Sequence, residues 1–143
     1  MRFRFIRLRF PFPAITAAFR ERRAVHPPIP DVSPRDVEKI VRRDFPAEQF
    51  SEINAVLEGL DRRLDGARVR VAALKLADGS LEALRRQIAL ANRDYRDVLV
   101  AAEYPRYWEA AAKVGLRLKK LSKKERQRIV DADWKQYCDW LQK

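Results

Sequence analysis

One run of the chain has the residue types that acid–base catalysis uses. Residues 92–97 read Asn-Arg-Asp-Tyr-Arg-Asp, and four more candidates follow this run: Glu103, Tyr104, Arg106 and Tyr107. Carboxylates and phenols transfer protons when they are held against a substrate. On a helix, however, Arg93 would pair with Asp97 one turn away, and Asn92 would hydrogen-bond to the next cation, Arg96. Because such pairing is the commoner use of alternating Arg and Asp, no catalytic residue is predicted.

Other catalytic and metal-binding motifs need residue types that this chain has only once. His26 is the single histidine and Cys138 the single cysteine, so neither can complete a four-ligand zinc site or an intramolecular disulfide. His26 precedes a proline pair, where nothing would hold its imidazole in a nucleophilic triad. No glycine-rich phosphate loop or HExxH motif is present. We therefore expect a protein of the bacterial cytoplasm that is not an enzyme and has no metal or cofactor.

Positive charge is the strongest compositional signal, with a formal net charge of +11. The densest run lies in residues 113–128, whose cations are Lys113, Arg117, Lys119, Lys120, Lys123, Lys124, Arg126 and Arg128. Several surround Ser122, the expected N-cap of a helix, where backbone amides could add to a phosphate site. Because no known DNA-reading or RNA-binding motif accompanies these charges, this run favours sequence-nonspecific, salt-dependent association with nucleic acid.

Aromatic side chains are concentrated near the C-terminus, and five of them are the candidate partner-binding residues: Tyr104, Tyr107, Trp108, Trp134 and Trp140. Trp134, Tyr137 and Trp140 cannot all face the core from one narrow helical stripe. At least one must lie at a rim, where Trp and Tyr are enriched in protein interfaces. The leading prediction is thus a non-enzymatic helical module that binds protein, either as a homodimer or as an adaptor for an acidic partner. Nucleic-acid association through residues 113–128 is the alternative.

These side chains must be positioned by helices, because helical spacing dominates the sequence after Ser33. A first helix is expected from Pro34 to about Phe45, capped by Ser33. A second is expected from Pro46 to Gly66, with one apolar stripe: Phe50, Ile53, Leu57, Leu60 and Leu64. A third, over residues 67–77 with Val69, Ala73 and Leu76 inward, is followed by an Asp-Gly-Ser turn that predicts a tight antiparallel hairpin with the next helix.

The longest predicted helix runs from Leu81 to about Glu103 and is expected to be the central element. Its inward positions follow three-four spacing: Leu81, Leu84, Ile88, Ala91, Tyr95, Val98 and Ala102. A short helix from Arg106 to Val114 is expected next. Ser122 and Glu125 form a capping box for the last helix, whose predicted inward residues are Val130, Trp134, Tyr137 and Leu141.

The predicted fold class is therefore all-α, a compact bundle of five or six helices over residues 33–143 with an extended basic, proline-rich N-terminal segment over residues 1–32. Arg alternates with apolar side chains in residues 1–10, a pattern typical of a strand that needs a partner edge. Residues 25–30 are typical of a polyproline-like linker. The arm could bind nucleic acid or a membrane surface, act as a targeting segment, or be a start-site artefact. No run of the sequence approaches the about 20 apolar residues of a membrane span.

Overall fold

The computed structural model describes residues 25–64, 66–112 and 121–143. Within them the chain forms six α-helices, one 3₁₀ turn at Ala47–Gln49 and no strand. The helices are α1 (Pro34–Asp44), α2 (Phe50–Glu58), α3 (Gly66–Ala77), α4 (Leu81–Glu103), α5 (Pro105–Ala112) and α6 (Lys123–Leu141). The predicted all-α class is confirmed, and the helix count agrees with the prediction. The predicted strand at residues 1–10 lies outside the described residues.

The first helix begins where its sequence signals place it. The backbone N–H and the hydroxyl of Ser33 both donate to the Asp36 carboxylate, at 2.7 and 2.8 Å. These hydrogen bonds lower the pKa of Asp36, because they stabilise its charged form. Pro46 ends the helix by holding Phe45 in an extended conformation.

The prediction of one helix from Pro46 to Gly66 is wrong. The α2 helix ends at Glu58, and Gly66 is the first residue of α3. The last carbonyls of α2 accept hydrogen bonds from side chains of other helices. Arg70 of α3 donates to the Leu57 carbonyl at 3.1 Å. Because these bonds come from residues distant in sequence, a local pattern does not reveal them.

Asn92 of α4 completes the end of α2. Its side-chain amide donates to the Gly59 carbonyl at 2.9 Å, and its oxygen accepts from the Asp61 N–H at 2.9 Å. Leu60, between these two residues, is buried even though it lies beyond the helix. One amide side chain thus fixes the loop that follows α2 against α4.

A tight turn joins α3 to α4 and makes them an antiparallel hairpin, as predicted. Asp78 and Gly79 both have left-handed backbone conformations, with φ of 48° and 77°. A Cβ on Gly79 would lie 2.9 Å from the Asp44 carbonyl oxygen, so only glycine fits against the end of α1. Ser80 then caps α4 by accepting a hydrogen bond from the Ala83 N–H at 3.2 Å.

The core is organised around α3 as well as α4, and the packing between these two helices is the most extensive in the structure. Two of the three inward positions predicted for α3, Val69 and Ala73, are buried, and Leu76 is half-buried. Four further buried residues were not predicted: Val71, Ala72, Leu74 and Ala77. The α3 helix packs against both α1 and α4, and its buried residues are distributed over more than one helical face.

The long α4 helix has a kink at Asp94, whose φ of −151° and ψ of 97° are those of extended backbone. The Asp94 carboxylate accepts from the Arg96 N–H at 3.1 Å, so Asp94 caps the second part of the helix. The prediction that Tyr95 faces the core is wrong, because its side chain is 38% exposed. The extended residue interrupts the helical period immediately before Tyr95.

A buried ion pair connects α3 to the last residue of α4. The Arg68 guanidinium donates to both carboxylate oxygens of Glu103, at 2.7 and 2.6 Å. Glu103 is only 2% exposed. A charge at this depth is stable only with a partner of good geometry, and the two parallel hydrogen bonds provide it.

Replacing Glu103 with Ala is predicted to lower the free energy of unfolding by about 3 kcal/mol, because the half-buried Arg68 loses its carboxylate. Urea denaturation followed by circular dichroism measures this change. The control is Glu82→Ala, which removes an exposed carboxylate paired with Arg86 one turn away and is expected to cost about 0.5 kcal/mol or less. Equal effects of the two substitutions would contradict the role given to Glu103.

Candidate partner-binding site

The short α5 helix is held in place by a buried carboxylate of α6. Asp133 is 1% exposed, and its Oδ2 accepts from the Tyr107 N–H, in the first turn of α5, at 2.9 Å. Negative charge at this position stabilises the start of a helix, where backbone N–H groups have no partner within the helix. Asp133 therefore fixes how α5 lies against α6.

Trp108 is the most exposed of the five predicted partner-binding aromatics, with 48% of its surface exposed. Its indole lies on α5 next to Tyr107, the residue that Asp133 anchors. Tyr104 is buried, and the other three are half-buried: Tyr107, Trp134 and Trp140. The structure thus places an exposed tryptophan on a helix with a fixed position.

The aromatic residues of α6 form a row. The rings of Trp134 and Tyr137 stack at 6.4 Å between centroids, and those of Tyr137 and Trp140 lie 6.0 Å apart at a tilt of 47°. Tyr137 is fully buried, whereas both tryptophans are half-buried. The prediction that at least one of the three lies at a rim is confirmed.

Trp140 of α6 contacts residues of both α1 and α3. The Arg43 guanidinium carbon lies 4.9 Å from its ring centroid and the Lys75 ammonium 5.9 Å from it, which are cation–π distances. Arg43 also donates to the Trp140 carbonyl at 2.9 Å. Burial lowers the pKa of Lys75, and nearby Asp133 partly opposes this effect. Trp140 is therefore engaged in contacts within the chain.

The predicted phosphate-binding run is only partly described. Four of its cations, Lys113, Arg117, Lys119 and Lys120, lie outside the described residues, as does the predicted end of the fifth helix at Val114. In the part that the structure describes, Lys123, Lys124 and Arg128 are exposed and Arg126 is half-buried.

The start of α6 has its own anion. The hydroxyl of Ser122 accepts from the Glu125 N–H at 3.1 Å, and the Ser122 N–H donates to the Glu125 carboxylate at 2.7 Å. The predicted capping box is confirmed. Because the Glu125 carboxylate accepts from the Ser122 N–H and places a negative charge at this helix start, the helix start is less suited to phosphate than expected.

The acidic and basic residues near Asn92 do not pair as predicted. Asn92 bonds to the loop after α2, and Arg96 pairs with Asp94 at 2.8 Å instead. The extended backbone at Asp94 breaks the helical spacing on which the predicted pairs depended. These residues and Asp61 line an open groove of about 450 Å³. Hydrogen bonds from Arg63 lower the pKa of Asp61 to about 2, so this carboxylate is unsuited to act as a general base at neutral pH.

No group of three or more histidines, cysteines, aspartates or glutamates in the described ranges lies close enough together to hold a metal ion. Among the described helices, none is both long enough and apolar enough to cross a membrane.

Sequence reasoning did not identify Asp133 as a residue that organises the site. It lies three residues after Val130 and four before Tyr137, both buried, so it continues their inward stripe. The prediction assigned Trp134, and not Asp133, to the inward stripe of this helix, whereas the structure shows Trp134 half-buried. The available signal was an acidic residue at a position that helical spacing places in the core. Because a buried carboxylate needs a hydrogen-bond partner, such a residue indicates a contact with another element.

Comparison with known proteins found no matching family model, no similar curated protein and no similar solved structure. The function is therefore inferred from the residues of this chain.

Two buried tyrosines predict a loss of stability at alkaline pH. Burial raises the pKa of Tyr104 and Tyr137, and the Glu103 charge raises both further. The neutral phenols are thus favoured in the folded state, and this stabilisation is present below the unfolded pKa of about 10. It is lost as the pH rises above that value toward the folded pKa.

We expect Tyr137→Phe to reduce the fall in unfolding free energy between about pH 9 and 11 relative to the unsubstituted protein. The Tyr137 hydroxyl is buried without a hydrogen-bond partner, so at neutral pH the substitution should cost less than about 1 kcal/mol. Denaturant unfolding at a series of pH values measures both effects. Tyr95→Phe, which removes an exposed hydroxyl, is the control. An unchanged pH dependence in Tyr137→Phe would refute the prediction.

Proposed function

We propose that this chain is a non-enzymatic helical protein-interaction module that recognises its partner through Trp108 on α5. The observation that carries the proposal is the exposure of this tryptophan, 48%, on a helix that Asp133 holds in place. Tryptophan is enriched among the residues that dominate binding energy at protein interfaces. Its rigid ring offers a large apolar area and loses little conformational entropy on binding.

Preorganisation of α5 supports the proposal. Asp133 is nearly inaccessible and bonds to the Tyr107 backbone, while Tyr104, which precedes α5, is buried. A contact residue on a fixed support loses less freedom on association than one on a mobile loop. The position of Trp108 is thus set before a partner arrives.

The charge of the chain favours an acidic partner. Arg106 is exposed in the first turn of α5, and Lys123, Lys124 and Arg128 are exposed on α6, the helix against which α5 packs. Complementary charge accelerates encounter with an acidic surface. Self-association would bring together two chains that each carry a formal net charge of +11, so a homodimer is the less favoured form of this function.

Nucleic-acid association remains the alternative function, and one observation favours it: Lys123, Lys124 and Arg128 are exposed. The Ser122–Glu125 capping box weakens it, because an acidic group already lies at the helix start. The two functions differ in the residue on which binding depends. Protein binding requires Trp108, whereas phosphate binding follows the number of cations and falls with salt.

Replacing Trp108 with Ala is predicted to weaken binding of the partner by about 2 kcal/mol or more, roughly thirtyfold, because a central aromatic contact is removed. Affinity capture with the full chain identifies acidic proteins retained at about 150 mM salt, and calorimetry with the purified candidate measures the affinity. Leu90→Ala is the matched control, since Leu90 is also an exposed apolar residue but lies on α4. It should leave the affinity unchanged.

Three results would contradict the proposal or its assignment of an acidic partner. One is a purified partner that binds the Trp108→Ala and Leu90→Ala variants equally well. Another is a dimer in analytical ultracentrifugation that only Trp108→Ala dissociates, which would replace the acidic partner with a second copy of the chain. The third is RNA or duplex DNA binding at about 150 mM salt that survives Trp108→Ala but is lost when Lys123, Lys124 and Arg128 are all replaced with Ala, which would favour the nucleic-acid function.

A further inference from the structure

The proline-rich segment that precedes α1 lies against the end of α4. The Tyr104 hydroxyl donates a hydrogen bond to the Pro28 carbonyl. Pro30 is buried and Pro27 half-buried, whereas the side chain of Ile29 is 61% exposed. The segment is thus attached to the helical body through this hydrogen bond, and two of its three prolines, Pro27 and Pro30, are at least partly shielded from solvent.

Part of the space between this segment and α4 is unfilled and forms a groove. A cavity of about 250 Å³ lies between Pro27–Ile29 on one side and Leu99, Val100 and Tyr104 on the other. Its exposed lining is mainly apolar, and the Arg68–Glu103 ion pair lies at its edge. The groove therefore combines an apolar wall with a fixed phenolic donor.

This combination suits an extended proline-rich peptide. Proline has no backbone N–H, and a polyproline chain makes no internal hydrogen bonds, so its carbonyls are free to accept from outside donors. Aromatic grooves bind such peptides because the extended chain is already stiff and loses little entropy on docking. Tyr104 supplies the donor, and its ring is held in place by burial.

We propose that the groove formed by Leu99, Val100 and Tyr104 binds an extended proline-rich segment of a partner protein. Pro27–Ile29, called the cover below, lies over the groove within the same chain and competes with that partner. The seated segment shows which peptide chemistry the groove accepts, and the unfilled cavity leaves room for a segment with bulkier side chains. This site differs from the Trp108 surface and does not depend on it.

The cover sets how tightly a partner segment binds. Because it is tethered close to the groove through residues 31–33, its effective concentration is in the millimolar range or above. A partner must displace it, so the apparent affinity falls in proportion to the fraction of molecules with a free groove. Weakening the cover should therefore increase the affinity for a peptide added from outside.

The test uses the full chain and a fluorescent peptide with the sequence of residues 25–30, Val-His-Pro-Pro-Ile-Pro, followed by fluorescence anisotropy. The double variant Pro27→Gly, Pro28→Gly removes the proline rings of the cover. It is expected to bind the peptide about tenfold more tightly than the unsubstituted chain, which corresponds to a groove covered about 90% of the time.

A third substitution assigns the site. Adding Tyr104→Phe to the double variant keeps the ring but removes the donor, and should reverse most of the gain in affinity. Adding Tyr95→Phe instead removes an exposed hydroxyl elsewhere on α4 and should leave the gain intact. A peptide with alanine in place of its three prolines should bind none of these proteins measurably. Circular dichroism establishes that every variant retains its helical content.

The proposal is overturned if the glycine variant binds the peptide no more tightly than the unsubstituted chain, or if Tyr104→Phe has no more effect than Tyr95→Phe. Equal binding of the proline and alanine peptides would also overturn it. A dimer of the unsubstituted chain that the glycine substitutions dissociate would assign the groove to a second copy instead. Retention of peptide binding in a Trp108→Ala variant separates this site from the proposed partner surface.

Discussion

The buried ion pair between Arg68 and Glu103 determines where the C-terminal end of α4 lies. A carboxylate that is only 2% exposed needs a cation with suitable geometry, and the bidentate contact with Arg68 fixes the end of α4 against the beginning of α3. Tyr104 and α5 follow Glu103 directly. The orientation of α5, and with it the position of Trp108, therefore depends on a charge pair in the core.

The second buried acid, Asp133, fixes α5 from α6. Its carboxylate bonds to the Tyr107 backbone, so the chain is held by a carboxylate of α4 just before α5 and by a carboxylate of α6 within the first turn of α5. On α6 the aromatic row continues to Trp140, which contacts Arg43 and Lys75. Most of the aromatic surplus thus joins helices within the chain, and Trp108 is left exposed.

Local signals predicted the elements well where they acted within one turn. Ser33 and Ser80 begin helices as expected, because capping depends on nearby backbone groups. The early end of α2 could not be predicted, since Asn92 satisfies it from a distant helix. For the candidate site, residue type and spacing identified Trp108 as a candidate but not its exposure, which depends on how α5 packs. Asp133 was missed because its stripe was assigned to apolar residues alone.

The most direct test of the proposed function is photo-crosslinking in the cell of origin, with p-benzoylphenylalanine at position 109, an exposed position next to Trp108. A matched chain carries the probe at position 90 on α4. We predict adducts with an acidic protein from position 109 but not from position 90, and their loss when Trp108 is replaced with Ala. Equal adduct yields from the two positions, or adducts that nuclease removes, would contradict the assignment of α5 as a protein-binding surface.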